Sequence, residues 1–469
     1  MEKENRLGTE KIWKLVISIA IPTMLAQFVS VLYSIIDRIF VGNIAEVGDK
    51  SLAGIGVCAP ILTFFAAFSI LIGIGGGPLM GIAMGEKNTE KAKKILANSV
   101  VLLAFFSILV TVIGLSAKVP LLKLCGASEN TLPYADTYFT ICVIGISFQI
   151  FAQGLYQFII AQGYAKTGMF SIVIGAIMNI CLDPLFIFVF KLDIAGAALA
   201  TIISQAISCL FVTVFLLTKA NIKITFKGYN IKTMLNITKL GISPFLIISL
   251  DAVMLIAVNM MLKQTGGQDA DFLITVNTIT QSFMLFITMP LEGISGGTQC
   301  ILAYNYGACN RKRVLQAQKA ICVLCVIYTT IFFITAWVGG TGFIALFTDD
   351  AAIAAESFKA IKISTLAIIP LGVQYAIVDG FTGMSQVKLS LFLSLWRKTM
   401  YFIVVFVVPF VIAPNAIFLA EPICDVLAVA MTVPCYFIFN NKILAKRESY
   451  FESLKTKNSS QNNEFNTIE

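Results

Sequence analysis

The sequence predicts an all-α membrane protein with twelve transmembrane helices in two parallel six-helix repeats. Three observations carry that prediction. Hydrophobic residues make up 58% of the 469-residue chain and charged residues only 13%, and a mean hydropathy of +0.86 lies far outside the soluble range. Apolar runs long enough to cross a bilayer follow one another with short polar breaks. The two halves also match at a constant spacing of 222 residues: Pro22 with Pro244, Gly75 with Gly297, Gly85 with Gly307, Asn88 with Asn310 and Lys166 with Lys388. Six spans per repeat is an even number, so the repeats run parallel about an axis along the membrane normal and face each other across a central cavity.

In chain order the spans are expected over residues 12–41, 52–84, 95–117, 134–161, 166–190, 194–218, 236–262, 272–304, 315–339, 357–384, 387–412 and 415–441. The first carries Pro22, Asp37 and Arg38, and the absence of a small-residue cleavage site marks it as a retained span rather than a signal peptide. The second holds the glycine run 73–77. That run lacks the Gly-Lys-Ser/Thr of a phosphate loop and follows no strand, so it reads as close helix packing and a bending point, not a nucleotide site. Gln153, Tyr156 and Gln157 fall in the fourth span, Asn179 and Asp183 in the fifth and Thr201 in the sixth. Residues 219–235, within the longest polar break at 219–239, join a lobe over 1–218 to one over 236–441. In the second lobe, Asp251 falls in the seventh span, Met284, Met289 and Glu292 in the eighth, Asp379 in the tenth, Arg397 and Lys398 in the eleventh, and Glu421 and Asp425 in the twelfth. The tail over 442–469 is polar, and beyond Tyr450 it reads as disordered. Nearly all of the eleven cysteines lie in apolar runs and read as reduced core residues. Cys322 and Cys325 have no second pair, so no transition-metal site is expected.

The net charge of +8 is no nucleic-acid footprint. Its lysines and arginines crowd into the terminal segments and into alternate loops, such as Lys87, Lys91, Lys93 and Lys94 or Arg311, Lys312 and Arg313. The positive-inside rule then places both termini in the cytoplasm, as expected of a multi-pass plasma-membrane protein. No Walker motif or soluble domain is present to burn a nucleotide, so any transport must run on an ion gradient. Histidine is absent, so a carried proton must ride on carboxyls or water. The expected inventory is therefore no cofactor, H+ or Na+ as coupling ion, a lipid bilayer and small-molecule substrates as partners, neither nucleic acid nor nucleotide, and a monomer.

The fifth span is the most informative stretch. Asn179 and Asp183 stand one helical turn apart on one face of an apolar helix, and Pro184 frees a backbone carbonyl one turn back. An ionisable group at that depth faces an interior or a wet cavity and marks an ion or substrate path; the plainer alternative is a structural Asp at a helix kink. Counting from the outer span ends, Asp37, Asp183 and Thr201 lie roughly 6 to 11 Å under the outer surface, with Asn179 a turn deeper. Two carboxylates, an amide oxygen and a hydroxyl are hard ligands for a cation, and neighbouring carboxylates can share a proton. The second-lobe set of Asp251, Glu292, Asp379, Arg397, Lys398, Glu421 and Asp425 has cations of its own. It reads equally as a neutralising ion-pair network or as a second coupling site.

The segments DRIFVGN at 37–43, NICLDPLFIFVF with AGAALAT at 195–201, ISGGTQCILAYNYGA at 294–308 and LAEPICD at 419–425 together resemble the multidrug and toxic compound extrusion (MATE) family, on its drug-efflux branch. The resemblance covers all twelve spans. It implies a V-shaped pair of six-helix lobes that exports amphipathic, often cationic compounds in exchange for protons or sodium, and not an enzyme. It assigns cation coupling to Asp37, Asn179, Asp183 and Thr201, and it sets Asp251 where another branch has a second-lobe acid. The matching acid of the tenth span is replaced here by Leu371. Lipid-linked precursor flippases of the same superfamily remain an alternative, as does a membrane-embedded enzyme, against which the lack of His argues. Candidate cavity liners are Gln153, Tyr156, Gln157, Met284 and Met289, because Met and aromatic side chains suit loose recognition of bulky cations.

Overall fold

Inside a bilayer the backbone finds no hydrogen-bond partner but itself, so each apolar run closes as a helix. The computed structural model describes residues 5–42, 44, 48–265, 267–348 and 350–466, and among these there is no strand. A short helix α1 (Arg6–Thr9) leads into α2 (Ile12–Gly42), α3 (Gly48–Gly85), α4 (Thr89–Ser116), the short α5 (Lys118–Leu124), α6 (Leu132–Ala161), α7 (Ala165–Pro184) and α8 (Asp193–Thr218). The second half runs α9 (Ile231–Thr265), α10 (Ala270–Gly307), α11 (Arg311–Ile344), α12 (Ala351–Ser364), α13 (Ile368–Gly383), α14 (Val387–Val411) and α15 (Ala420–Asn466). Among the described residues eleven helices are long and apolar enough to cross a membrane, and α12 with α13, bent by 48°, makes a twelfth span. Pro370 explains where α13 restarts, since its missing N–H is harmless only in a first turn.

Two expected boundaries are corrected. Helix α9 begins at Ile231, so the connection between halves covers 219–230; Asn230 accepts from the Lys232 amide at 2.8 Å and so caps the new first turn. The tail is helical to Asn466 rather than disordered, because no Gly or Pro interrupts α15 after Pro434 and its Ala, Leu, Lys and Glu residues favour helix.

The 222-residue repeat recurs in backbone detail. Asn88 and Asn310 each cap a helix by accepting from the amide three residues on. Lys87 and Cys309, one position earlier in each repeat, both take a positive φ, near 58° and 55°. Gly163 and Ser385 are a second matched pair, at 85° and 58°. Small residues let the halves approach closely: a Cβ on Gly75 would come within 2.2 Å of the Ile237 carbonyl oxygen, and one on its mate Gly297 within 2.4 Å of Thr23 Oγ1. Gly85 and Gly307 lie on either side of the α3–α10 crossing, against the carbonyls of Tyr304 and Ile82.

Helices α2 and α9 belong to both halves. Leu15, Val16, Ile19 and Ala20 pack in the second-half core, whereas Val41, at the far end of α2, packs in the first. Ile237 of α9 packs in the first-half core, whereas Met254 and Val258 join a cluster with α14. Pro22 and Pro244 stand where each helix changes sides, the point at which a broken ladder allows a bend.

At the end that carries the chain termini the halves are tied together. Asn305 Nδ2 and Arg313 donate to the Leu7 carbonyl at 3.0 and 3.2 Å, and Arg313 also reaches the Glu10 carbonyl at 2.8 Å. Arg447 of α15 pairs with Glu86, just past α3, at 2.6 Å.

Candidate functional site

The α2–α7 contact assembles most of the first-half cluster expected from sequence. On α7, Asn179 Nδ2 donates to Asp183 Oδ1 at 3.2 Å, the hydrogen bond that a one-turn spacing permits. Both residues are buried, Asp183 completely. Helix α2 brings the half-buried Asp37 within hydrogen-bonding reach of the Asp183 carboxyl. Two carboxylates carry no proton between them, so the contact is favourable only when a proton or a cation bridges them. Asp37 Oδ1, Asp183 Oδ2 and Asn179 Oδ1 are buried without a hydrogen-bond partner. Three orphaned oxygens close together are each costly to leave unsatisfied, and they are of the hard type that a small cation or a proton would satisfy. Beyond Pro184 the chain widens into a π-helical turn over Leu185–Val189, the kind of local loosening that often borders a working site.

Thr201 lies half-buried on α8 and makes no hydrogen bond to the other three among the described residues. Arg38 is exposed. Two residues that sequence reasoning passed over also belong here. Tyr33, one turn before Asp37 on the same face, lies close to both carboxyls, and Tyr138 of α6 lies close to Asp37. The i, i+4 spacing of Tyr33 and Asp37 was a legible signal; nothing local in the sequence pointed to Tyr138.

The second-half set divides in two. Arg397 of α14 donates to Asp425 at 2.8 Å and to Glu421 at 3.3 Å, both on one face of α15, and Lys398 pairs with Asp251 of α9. In these five residues two cations meet three acids as ion pairs. Glu292 of α10 and Asp379 of α13 lie near each other and outside those pairs. Ser295 and Gln299, one and two turns past Glu292, stand beside Asp379, whose Oδ2 is otherwise unpartnered. Leu371 is fully buried core.

Of the expected cavity liners, Gln153 is exposed and accepts from Ser69 Oγ at 3.0 Å. Gln157 borders a small gap between the halves together with Gly73, Gly77, Gly296 and Gln299. Met289 is half-buried. Tyr156 and Met284 are both buried in the second core cluster, where Tyr156 lies against Gly168. Among the described residues no three His, Cys, Asp or Glu side chains converge as a transition-metal centre would require.

The MatE family model matches residues 22–185 and 245–414, one segment in each half. The multidrug export protein MepA of Staphylococcus haemolyticus is 27% identical over 379 residues, 80% of this chain and 81% of that protein. MepA of Staphylococcus aureus strain N315 is 25% identical over 391 residues, 82% of this chain and 84% of the relative. Among solved structures, an outward-facing multidrug resistance MATE family transporter superposes with a TM-score of 0.87 at 20% identity, covering 96% of this chain and 99% of that one. A MOP superfamily transporter from Pyrococcus furiosus gives the same TM-score at 19% identity and the same coverage. At those identities the structures speak for the fold alone.

Proposed function

Because this chain belongs to the MatE family, we propose that it exports amphipathic, often cationic small molecules across the plasma membrane by alternating access, in exchange for entering protons or sodium ions. Both staphylococcal relatives are named multidrug export proteins, which favours a drug-like cargo over a lipid-linked precursor. The observation that carries the reading is the trio of unpartnered buried oxygens on Asp37, Asn179 and Asp183. In this scheme the moving lobes cover 1–218 and 236–441, and the termini face the cytoplasm on the charge pattern. An empty pair of carboxylates repels, holding α2 and α7 apart; a bound proton or cation removes that repulsion and lets α2 close on α7. Pro22 supplies the bend, and because the first part of α2 is anchored in the other half, closing the site also moves the halves against each other. Thr201, half-buried on α8, is proposed as a further oxygen of the site.

The test is export of a lipophilic cation such as ethidium from vesicles, with pH and sodium gradients imposed separately. Asp37→Asn and Asp183→Asn are each expected to abolish gradient-driven export while leaving ethidium binding in place, and the double variant should be scarcely worse than either. Losses in transport free energy that simply add would mean two independent roles. No export of any of several chemically distinct cations under either gradient would overturn the drug-efflux reading itself.

A further inference from the structure

The connection between the halves is not a loose tether. Gln162, at the end of α6, grips it with both ends of its amide: Nε2 donates to the Ile222 carbonyl at 3.1 Å and Oε1 accepts from the Ile222 amide at 2.7 Å. Asn98 of α4 repeats the grip farther along, donating to the Gly228 carbonyl at 3.2 Å and accepting from the Asn230 amide at 2.8 Å. Both amides are buried, and Ile222 and Ile224 turn inward beneath them. The strap is therefore pinned flat, which fixes what its other side displays. That side holds Phe226 at 69% exposure and Tyr229 at 52%, interleaved with the exposed Lys223, Lys227 and Lys232. Ile231, Leu235 and Ile242 continue the exposed apolar surface along α9 into the region of the span.

We propose that the strap is an interfacial anchor that docks on anionic phospholipids of the leaflet bordering it. Three features on this surface select that occupant. Twelve residues joining two spans on one side of the bilayer cannot leave its surface region far behind, and two buried amides hold them down. Aromatic rings interleaved with lysines suit the boundary where acyl chains meet headgroups, the rings entering the apolar side and the ammonium groups meeting phosphate. The apolar stripe is also continuous with the outward face of α9, so it meets the same solvent as the span does. A soluble partner would have to cover a surface whose lower edge is already in lipid.

The experiment places a tryptophan at the anchor and asks what touches it. The Phe226→Trp variant of the full chain is reconstituted in phosphatidylcholine vesicles containing phosphatidylglycerol, with bromine on the acyl chains of one lipid or the other, and its emission is read as the difference from the parent chain. Brominated lipid is expected to quench residue 226 and aqueous acrylamide to spare it. Brominated phosphatidylglycerol should act at about fivefold lower mole fraction than brominated phosphatidylcholine, as about one lysine–lipid contact would give. Changing Lys223, Lys227 and Lys232 to Gln together should erase that preference while lipid quenching persists. Quenching by acrylamide alone would overturn the proposal, as would shielding from every quencher, which would mean that a protein or a second copy covers the face. Equal action of the two lipids in the parent background would overturn the anionic part. Tyr229→Trp gives a second reading of the same surface should the change at 226 disturb folding.

Discussion

Two adjacent cations of α14 meet opposite environments. Arg397 is closed in by Asp425, which is fully buried, and by Glu421, whereas Lys398 is buried but its partner Asp251 is 53% exposed. Removing one partner of a buried pair strands a charge and typically costs about 3–5 kcal/mol. Asp425→Asn is therefore expected to destabilise the detergent-solubilised protein by about 3 kcal/mol in chemical denaturation. Glu421→Gln should cost less, since its contact is longer and partly wet, and Asp251→Asn less again, because water screens the lost charge. Changing Arg397 to Met and Asp425 to Leu together should be milder than Asp425→Asn alone, which would identify the pair as a filler of low-dielectric space rather than a source of net stability. This is also where residue-level reading of the sequence reached its limit. That Arg397 and Lys398 were available to neutralise nearby acids followed from charge counting, as one of two equal readings, but which acids stayed unpaired did not. Glu292 of α10 and Asp379 of α13 stay outside the ion pairs that Arg397 and Lys398 make, a fact of three-dimensional packing. Asp183 and Asn179 were readable because their link lies within one helical turn.

At the scale of elements, the sequence carried the spans well, since bilayer thickness and backbone hydrogen bonding leave an apolar run little choice. The ends were less legible, and for different reasons in different places. The tail is helical without being apolar, so hydropathy, which reports burial in lipid, had nothing to say about it, and residues 231–235 are apolar at three positions but carry Lys232 next to the polar connection. The break between α12 and α13 hides inside one apolar run for the converse reason. The repeat itself makes a sharper statement about turns. Gly163 and Ser385 occupy the same turn in the two halves, both with positive φ, but only the glycine adopts that backbone without a steric penalty. Ser385→Gly should then stabilise the protein by up to about 1 kcal/mol, and Gly163→Ser should destabilise it by a similar amount. Thermal unfolding of the two variants side by side is the check. Opposite signs are expected from positions that a sequence alignment of the halves would treat as equivalent.

For the whole molecule, the contacts at the terminus-bearing end decide how readily that end opens. The Arg447–Glu86 pair crosses from α15 to the end of α3 and is only partly exposed. Burial alone would lift Glu86, but hydrogen bonds from Arg447 and Lys91 hold its carboxyl below its ordinary value of 4.5. A depressed carboxyl contributes above its ordinary value and loses that contribution as the pH falls through the depressed one. The tie should thus be indifferent to pH from neutrality down to 4.5 and weaken only in stronger acid. Glu86→Gln removes its ionic part at every pH. With a single reporter cysteine at Ala161, beside the gap between the halves, that variant is expected to label about fivefold faster than the parent, as a loss of about 1 kcal/mol implies. An unchanged rate would mean that the glycine crossing of α3 and α10, not the ion pair, holds that end shut. The strap between the halves has an implication of another kind, about descent. A chain made by copying one unit and joining the copies end to end inherits its devices twice, as Asn88 and Asn310 do. Gln162 and Asn98 have no such twins: the matching positions hold Met384 and Ala320. Neither amide belongs to the repeated unit: both serve only the join between the two copies, which occurs once in the chain.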